Sequence, residues 1–207
     1  MNTPAHILIS IASLTRGQSA QTGKVNQPSY LWPATIGATL PDAPMFAFYA
    51  IEKLIVGSTE REIWTTRYFL PGWQDFFDVF NSVPICLIAL SIALALRRTW
   101  VVVLCVSMLL HFAFDLPLHH DDGHRHFWPL TDWRFASPVS YWDTKHFGIW
   151  AAGSEFAISV VCFVIAFRRH TNTLVRSGLV TLVAIYSLMM WGYFAYVTRV
   201  AVAGFAG

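Results

Sequence analysis

The chain has 207 residues, of which 55% are hydrophobic and only 13% charged, with a mean hydropathy of +0.48 and a formal net charge of +2. That composition excludes an ordinary soluble domain and gives no reason to expect a nucleic-acid partner. The length suits one compact integral-membrane domain, residues 1–207, rather than two domains.

The first apolar run, 6–14, follows no basic segment, so it lacks the charged start of a secretory signal and is expected to stay in the mature protein. With 30–40 it predicts a short down-and-up pair, tilted or partly embedded, turning on the inner side through the polar stretch 15–29. Pro41 ends the second of these helices and delivers Asp42 to the outer surface. Residues 45–56 are apolar and suit the membrane interface. Residues 57–78 form a polar, aromatic outer segment with Trp64, Tyr68 and Trp73.

Four later stretches, 79–96, 99–118, 147–167 and 177–198, reach the roughly 17 to 25 residues needed to cross a hydrocarbon core. The predicted fold is therefore an all-α polytopic membrane bundle of about six segments, the first two short. Cys86, Cys105 and Cys162 fall inside these spans and read as small core residues, not as a disulfide framework. The connection 119–146 carries Trp128, Trp133, Tyr141 and Trp142, separated by Pro129 and Pro138. A loop this long is expected to be a binding loop or lid over the outer face, and its aromatic residues equally suit the headgroup belt.

Basic residues set the orientation. Arg97 and Arg98 occupy one tight connection and Arg168, Arg169 and Arg176 the next on the same side, which makes that side cytoplasmic. Carrying the alternation back adds Arg16 and Lys24, giving seven basic and no acidic residues inside. All twelve acids, and every histidine except His170, then fall outside or in the outer half of the membrane. Both chain ends are expected outside.

Against this charge-poor background stands HFAFDLPLHHDDGHRH, residues 111–126, with five histidines and three aspartates in sixteen residues. Imidazole and carboxylate donors without cysteine suit zinc, manganese or iron at a site with exchangeable positions. His111 and Asp115 lie four apart and share one helical face. The bland reading is a solvated histidine-rich loop that takes up metal adventitiously. His6, Asp42 and Asp78 arrive at the same outer level by topology alone. Glu155 lies at nearly the depth of His111 on the adjacent span, roughly 10 Å below the helix end, where an ionisable group needs a partner or a polar cavity.

The order PAHIL, TLPDAPMF, FNSVP and LHFAFDLPLHHDDGHRHFWPL resembles the bacterial membrane-bound metal-dependent hydrolases, the YdjM-like family. That family is in turn similar to zinc phospholipases C of the alpha-toxin type. The resemblance extends to about Pro129. It implies metal ligands at His6, Asp42, His111 and Asp115, with His119, His120, His124 or His126 completing the shell. Where the family commonly has a histidine before serine, this chain has Asn81 before Ser82, a poor ligand that Asp78 would have to replace. The expected function is a metal-dependent hydrolase at the periplasmic face of the bacterial inner membrane, with Asp42 or Asp115 as base or bridging ligand and Glu155 in proton transfer. Arg125 and Arg134 are expected to hold the phosphate of a lipid phosphoester. The alternative is a non-catalytic metal-binding membrane protein or an accessory subunit packed against other membrane subunits. Haem is the third reading, and the surrounding carboxylates argue for a harder ion.

Overall fold

The computed structural model describes residues 1–16 and 30–205, with side chains to residue 199. The predicted inner turn, Lys24 included, lies mostly outside the described residues. Those described form helices and connections with no strand: α1 (Thr3–Leu14), α2 (Leu31–Thr39), α3 (Ala43–Ala50), α4 (Glu60–Glu62), α5 (Pro71–Phe80), α6 (Val83–Ala95), α7 (Thr99–Asp115), α8 (Gly148–Arg169) and α9 (Thr173–Phe205). Four stretches are long and apolar enough to cross a membrane: Pro71–Ala95, Thr99–Leu118, Gly148–Arg169 and Thr173–Arg199.

Local chemistry explains where the helices start. α1, α3, α5 and α6 each carry a proline in the first turn, where the missing N–H costs nothing and the fixed φ suits the helix. α6 and α7 are separated by a tight turn with Arg97 at φ 53°; the Arg98 N–H returns to the Ala93 carbonyl and the Arg97 N–H to Leu94, closing the end of α6.

The short α1 is the axis of the bundle. It packs against α2, α7, α8 and α9, and Ala5, His6, Leu8, Ile9, Ser10, Ile11 and Ala12 are all buried. Two apolar clusters hold it, one with Met1, Ala5 and Ile9 against Ala152, Tyr186 and Met190, the other with Leu8 and Ile11 against Ala166 and Leu179. Small residues let α2 approach α7 closely, as expected where packing rather than the hydrophobic effect drives helix association. A Cβ on Gly37 would sit 2.3 Å from the Leu104 carbonyl oxygen, and the Ser107 hydroxyl lies 2.6 Å from the Ala34 carbonyl and 2.9 Å from the Ser10 hydroxyl.

The first of these four stretches begins earlier than the hydropathy predicts. The stretch 57–78 is largely helical, because Phe48, Ile63, Tyr68 and Phe77 build a small core of their own that joins α3, the helical turn after α4, and α5. A capping box between Thr59 and Glu62 opens α4, and buried Glu52 accepts from the Trp73 indole (3.0 Å) and the Ser58 hydroxyl (2.9 Å). At the α5–α6 break the loop 119–146 docks. The Val83 N–H donates to the His126 carbonyl (2.8 Å), His126 Nδ1 to the Asn81 carbonyl (3.0 Å) and the Ser82 hydroxyl to the Trp128 carbonyl (2.5 Å).

The two ends differ in charge. Arg97, Arg98, Arg168, Arg169 and Arg176 share one end, where Arg169 caps α1 through the Ala12 carbonyl and His170 bonds the Thr15 hydroxyl. The start of α1, the α2–α3 junction, the end of α7 and the histidine-rich loop share the other.

Candidate metal centre

α1 and α7 run side by side, so His6 from one and His111 from the other stack face to face, with centroids 3.6 Å apart and planes 15° from parallel. Asp115, one turn after His111, lies between the edges of both rings. Its Oδ1 is 3.2 Å from His6 Nε2 and its Oδ2 is 3.4 Å from His111 Nε2. Together His6, His111 and Asp115 present three ligand atoms within 4.8 Å of one another, all buried. Asp42, delivered by the α2–α3 junction, places Oδ1 3.6 Å from His111 Nε2, and His119 places Nε2 3.4 Å from Asp115 Oδ1.

Proton bookkeeping shows what this arrangement lacks. His111 Nδ1 is 2.9 Å from the Ala38 carbonyl; a carbonyl only accepts, so Nδ1 carries the proton. In a neutral ring Nε2 is then a bare lone pair, and it faces two carboxylates that also only accept. The atom is buried without a hydrogen-bond partner. Such orphans are rare in folded proteins, and a ring whose other N–H is tied to a carbonyl is the usual state of a metal-bound histidine. His119 repeats the pattern: Nδ1 meets Asp122 at 2.9 Å while Nε2 points to Asp115 without a partner. Burial disfavours charge on His119, yet Asp115 prevails and raises its pKa to about 9. Left to protons, the site draws positive charge to Asp115.

Asp115 also receives the amine of Met1. Asp42 is oriented by the Thr3 hydroxyl, 2.6 Å from Oδ2, so the first turn of α1 supplies both a ligand and the clamp on another. Glu155 lies outside the ligand group. Its Oε1 accepts the Asn2 N–H (2.9 Å), the Asn2 carboxamide (2.9 Å) and the Tyr186 hydroxyl (2.5 Å). It thus holds the start of α1, one turn before His6, and acts on the centre through that helix.

The remaining expected residues lie elsewhere. Asp78 binds the backbone N–H and guanidinium of Arg125, with His124 Nδ1 3.7 Å away. His126 faces Asn81, and His120 stacks on His146. Asn81 donates to the Pro41 and Phe77 carbonyls and so ties the α5–α6 break to the residue before Asp42. Arg125 pairs with Asp75, Asp78 and Asp132 at once, and Arg134 donates to the Gly123 carbonyl at 2.7 Å. Both arginines thus help to hold the loop, Arg125 through three carboxylates and Arg134, about one-third exposed, through one carbonyl.

The centre opens into a cleft of ≈ 750 Å³ with Asp42, Asp115 and His119 at its floor and Trp64, Tyr68 and Trp142 among its walls. Asp122 organises that mouth, accepting from His119, from the Trp142 indole at 3.0 Å and, through its carbonyl, from the Tyr68 hydroxyl at 3.1 Å. Its role went unread in the sequence, although its place three residues after His119 signals a histidine-orienting carboxylate. Thr3 and the Ala38 carbonyl carry no sequence signal of their own.

Compared with known proteins, the chain matches no family model, no curated protein and no solved structure.

Proposed function

We propose that this protein is a metal-dependent hydrolase of a bacterial inner membrane, working at the periplasmic face on phosphoester or lipid substrates. One observation carries the metal reading: His111 Nε2, buried and without a hydrogen-bond partner, is aimed at Asp42 and Asp115. The N/O donor set, free of cysteine, favours zinc, with manganese or iron as alternatives. The chemistry a bound divalent ion supplies is an acidified water and a polarised ester. The chain's residues do the rest. His6, His111 and Asp115 form the buried base of the site, while Asp42, about one-fifth exposed, faces the cleft and is placed to take a proton from an entering water. The aromatic walls suit the apolar part of a lipid, and the exposure of Trp64 and Phe69 at the cleft supports an opening toward lipid.

The clustering of basic residues at the far end supports the periplasmic assignment. Counting α1 and α2 as embedded segments gives the six-segment topology. A second reading has support of its own: the same buried donors tie α1, the α2–α3 junction and α7 together, as a structural ion in an accessory subunit would. Hydrolysis assays on phospholipid vesicles and on a generic phosphodiester, with purified protein and added zinc or manganese, separate the two. Turnover that disappears in Asp42→Asn, with the metal retained, supports the hydrolase. Metal-loaded protein inert on every substrate supports the structural ion.

A further inference from the structure

Two histidines of the outer loop are not used by the centre, and they lie together. His120 and His146, from opposite ends of the loop, stack with centroids 3.6 Å apart and planes 20° from parallel. Neither ring bonds or stacks with His6, His111 or Asp115. His120 Nδ1 lies 2.6 Å from the Ser137 carbonyl and His146 Nδ1 lies 2.7 Å from Asp143 Oδ2. Both acceptors fix the proton on Nδ1 of a neutral ring, so both Nε2 atoms carry free lone pairs. The supports are themselves fixed: Asp143 accepts from the Lys145 N–H at 2.9 Å, and the Ser140 N–H donates to the His146 carbonyl at 2.8 Å.

We infer that His120 and His146 form a second metal site, a solvent-reachable two-imidazole clamp for a borderline divalent ion of the zinc type, which staples the two ends of the loop together. Imidazole is the donor such ions favour, and an N–H tied to a carbonyl or carboxylate is the support that metal-bound imidazoles normally have. Two nitrogens on a tetrahedral zinc lie about 3.3 Å apart for zinc–nitrogen bonds near 2.0 to 2.1 Å. The ring centroids are 3.6 Å apart, near enough for both rings to reach one ion once they turn out of the stack and their lone pairs converge. His146 has one-third of its side chain exposed, which leaves the ion open to solvent and water free to complete its shell. The site does not depend on the hydrolase reading, because none of its donors belongs to the buried centre.

The test uses the full chain in detergent and zinc alone. Zinc binding measured by calorimetry should show one ion fewer per chain in His120→Ala/His146→Ala than in the parent, with the tighter site unchanged. Asp115→Ala should lose the tighter site and keep the weaker one. Histidine modification by diethyl pyrocarbonate, read by mass spectrometry on the parent chain, needs no substitution: zinc should slow labelling of His120 and His146 together by at least about tenfold. Equal zinc stoichiometry in parent and double variant, or labelling of both rings unchanged by zinc, makes the pair a packing contact and overturns the site.

Discussion

Gly37→Ala tests whether helix packing builds the centre. The added Cβ would meet the Leu104 carbonyl oxygen at 2.3 Å and Ser107 Cβ at 2.8 Å, whereas an unstrained carbon-to-carbonyl contact is about 3.3 Å. The neighbour at 2.3 Å is backbone and cannot swing aside, so α2 and α7 must separate by roughly 1 Å. Overpacking of this kind costs about 1–3 kcal/mol, against which alanine's better helix propensity returns about 1 kcal/mol. The next residue, Ala38, holds His111 through its carbonyl, and Asp42 follows at the α2–α3 junction. Metal sites tolerate ligand displacements of only about 0.2 Å, so zinc affinity should fall more than stability does. The assay is a thermal melt in detergent with and without zinc, beside a zinc titration. We expect the apo melting temperature to drop by a few degrees at most and the zinc-induced rise to shrink at least by half. A variant with parental zinc affinity and an unchanged or raised melting temperature would refute the link between the α2–α7 contact and the site.

Asp115→Ala should abolish metal retention and turnover together, since this carboxylate faces His6, His111 and His119; elemental analysis beside the hydrolysis assay checks it. Glu155→Ala leaves three donors without their acceptor, two of them on Asn2, and should destabilise the fold by at least about 2 kcal/mol, whereas Glu155→Gln keeps an acceptor oxygen and should keep the metal; chemical denaturation and metal content distinguish them. Arg125→Ala strands the buried Asp78 and should cost about 3–5 kcal/mol, seen as faster proteolysis within 119–146. Acid should loosen the same loop: burial lowers the His126 pKa from 6.5 to about 4, so the fold binds this proton less readily than the unfolded chain, and stability falls as pH drops through 6.5 and levels off below 4. The loss is about 3.5 kcal/mol at most at about 1.4 kcal/mol per unit, and His126→Gln should remove that part of the acid sensitivity in pH-dependent melts.

The apolar spans and the His111–Asp115 pair were legible because hydropathy and the four-residue helical spacing act within one segment. Which loop histidine faces Asp115 was not, because His119, His120, His124 and His126 are chemically alike and only the docking of the loop separates them. His119 stays beside the end of α7; its neighbour His120 is turned toward His146 by the Ser137 carbonyl, and His126 is drawn to the α5–α6 break. The partners of Arg125 were illegible for a related reason. An outer arginine suits phosphate, but Arg125 meets Asp75, Asp78 and Asp132, partners up to 50 residues away in the chain, and only the folded chain brings them together. The early start of α5 escaped hydropathy because 57–78 is polar on one face, its helices being held by the aromatic core around Phe48.

The most direct test is anomalous X-ray diffraction at the zinc edge on crystals of the purified protein. The account predicts a peak about 2.0 to 2.2 Å from the imidazole nitrogens of His6 and His111 and from an Asp115 oxygen. Crystals grown with zinc that show no peak between these three side chains, or a peak only at the loop histidines, would contradict it.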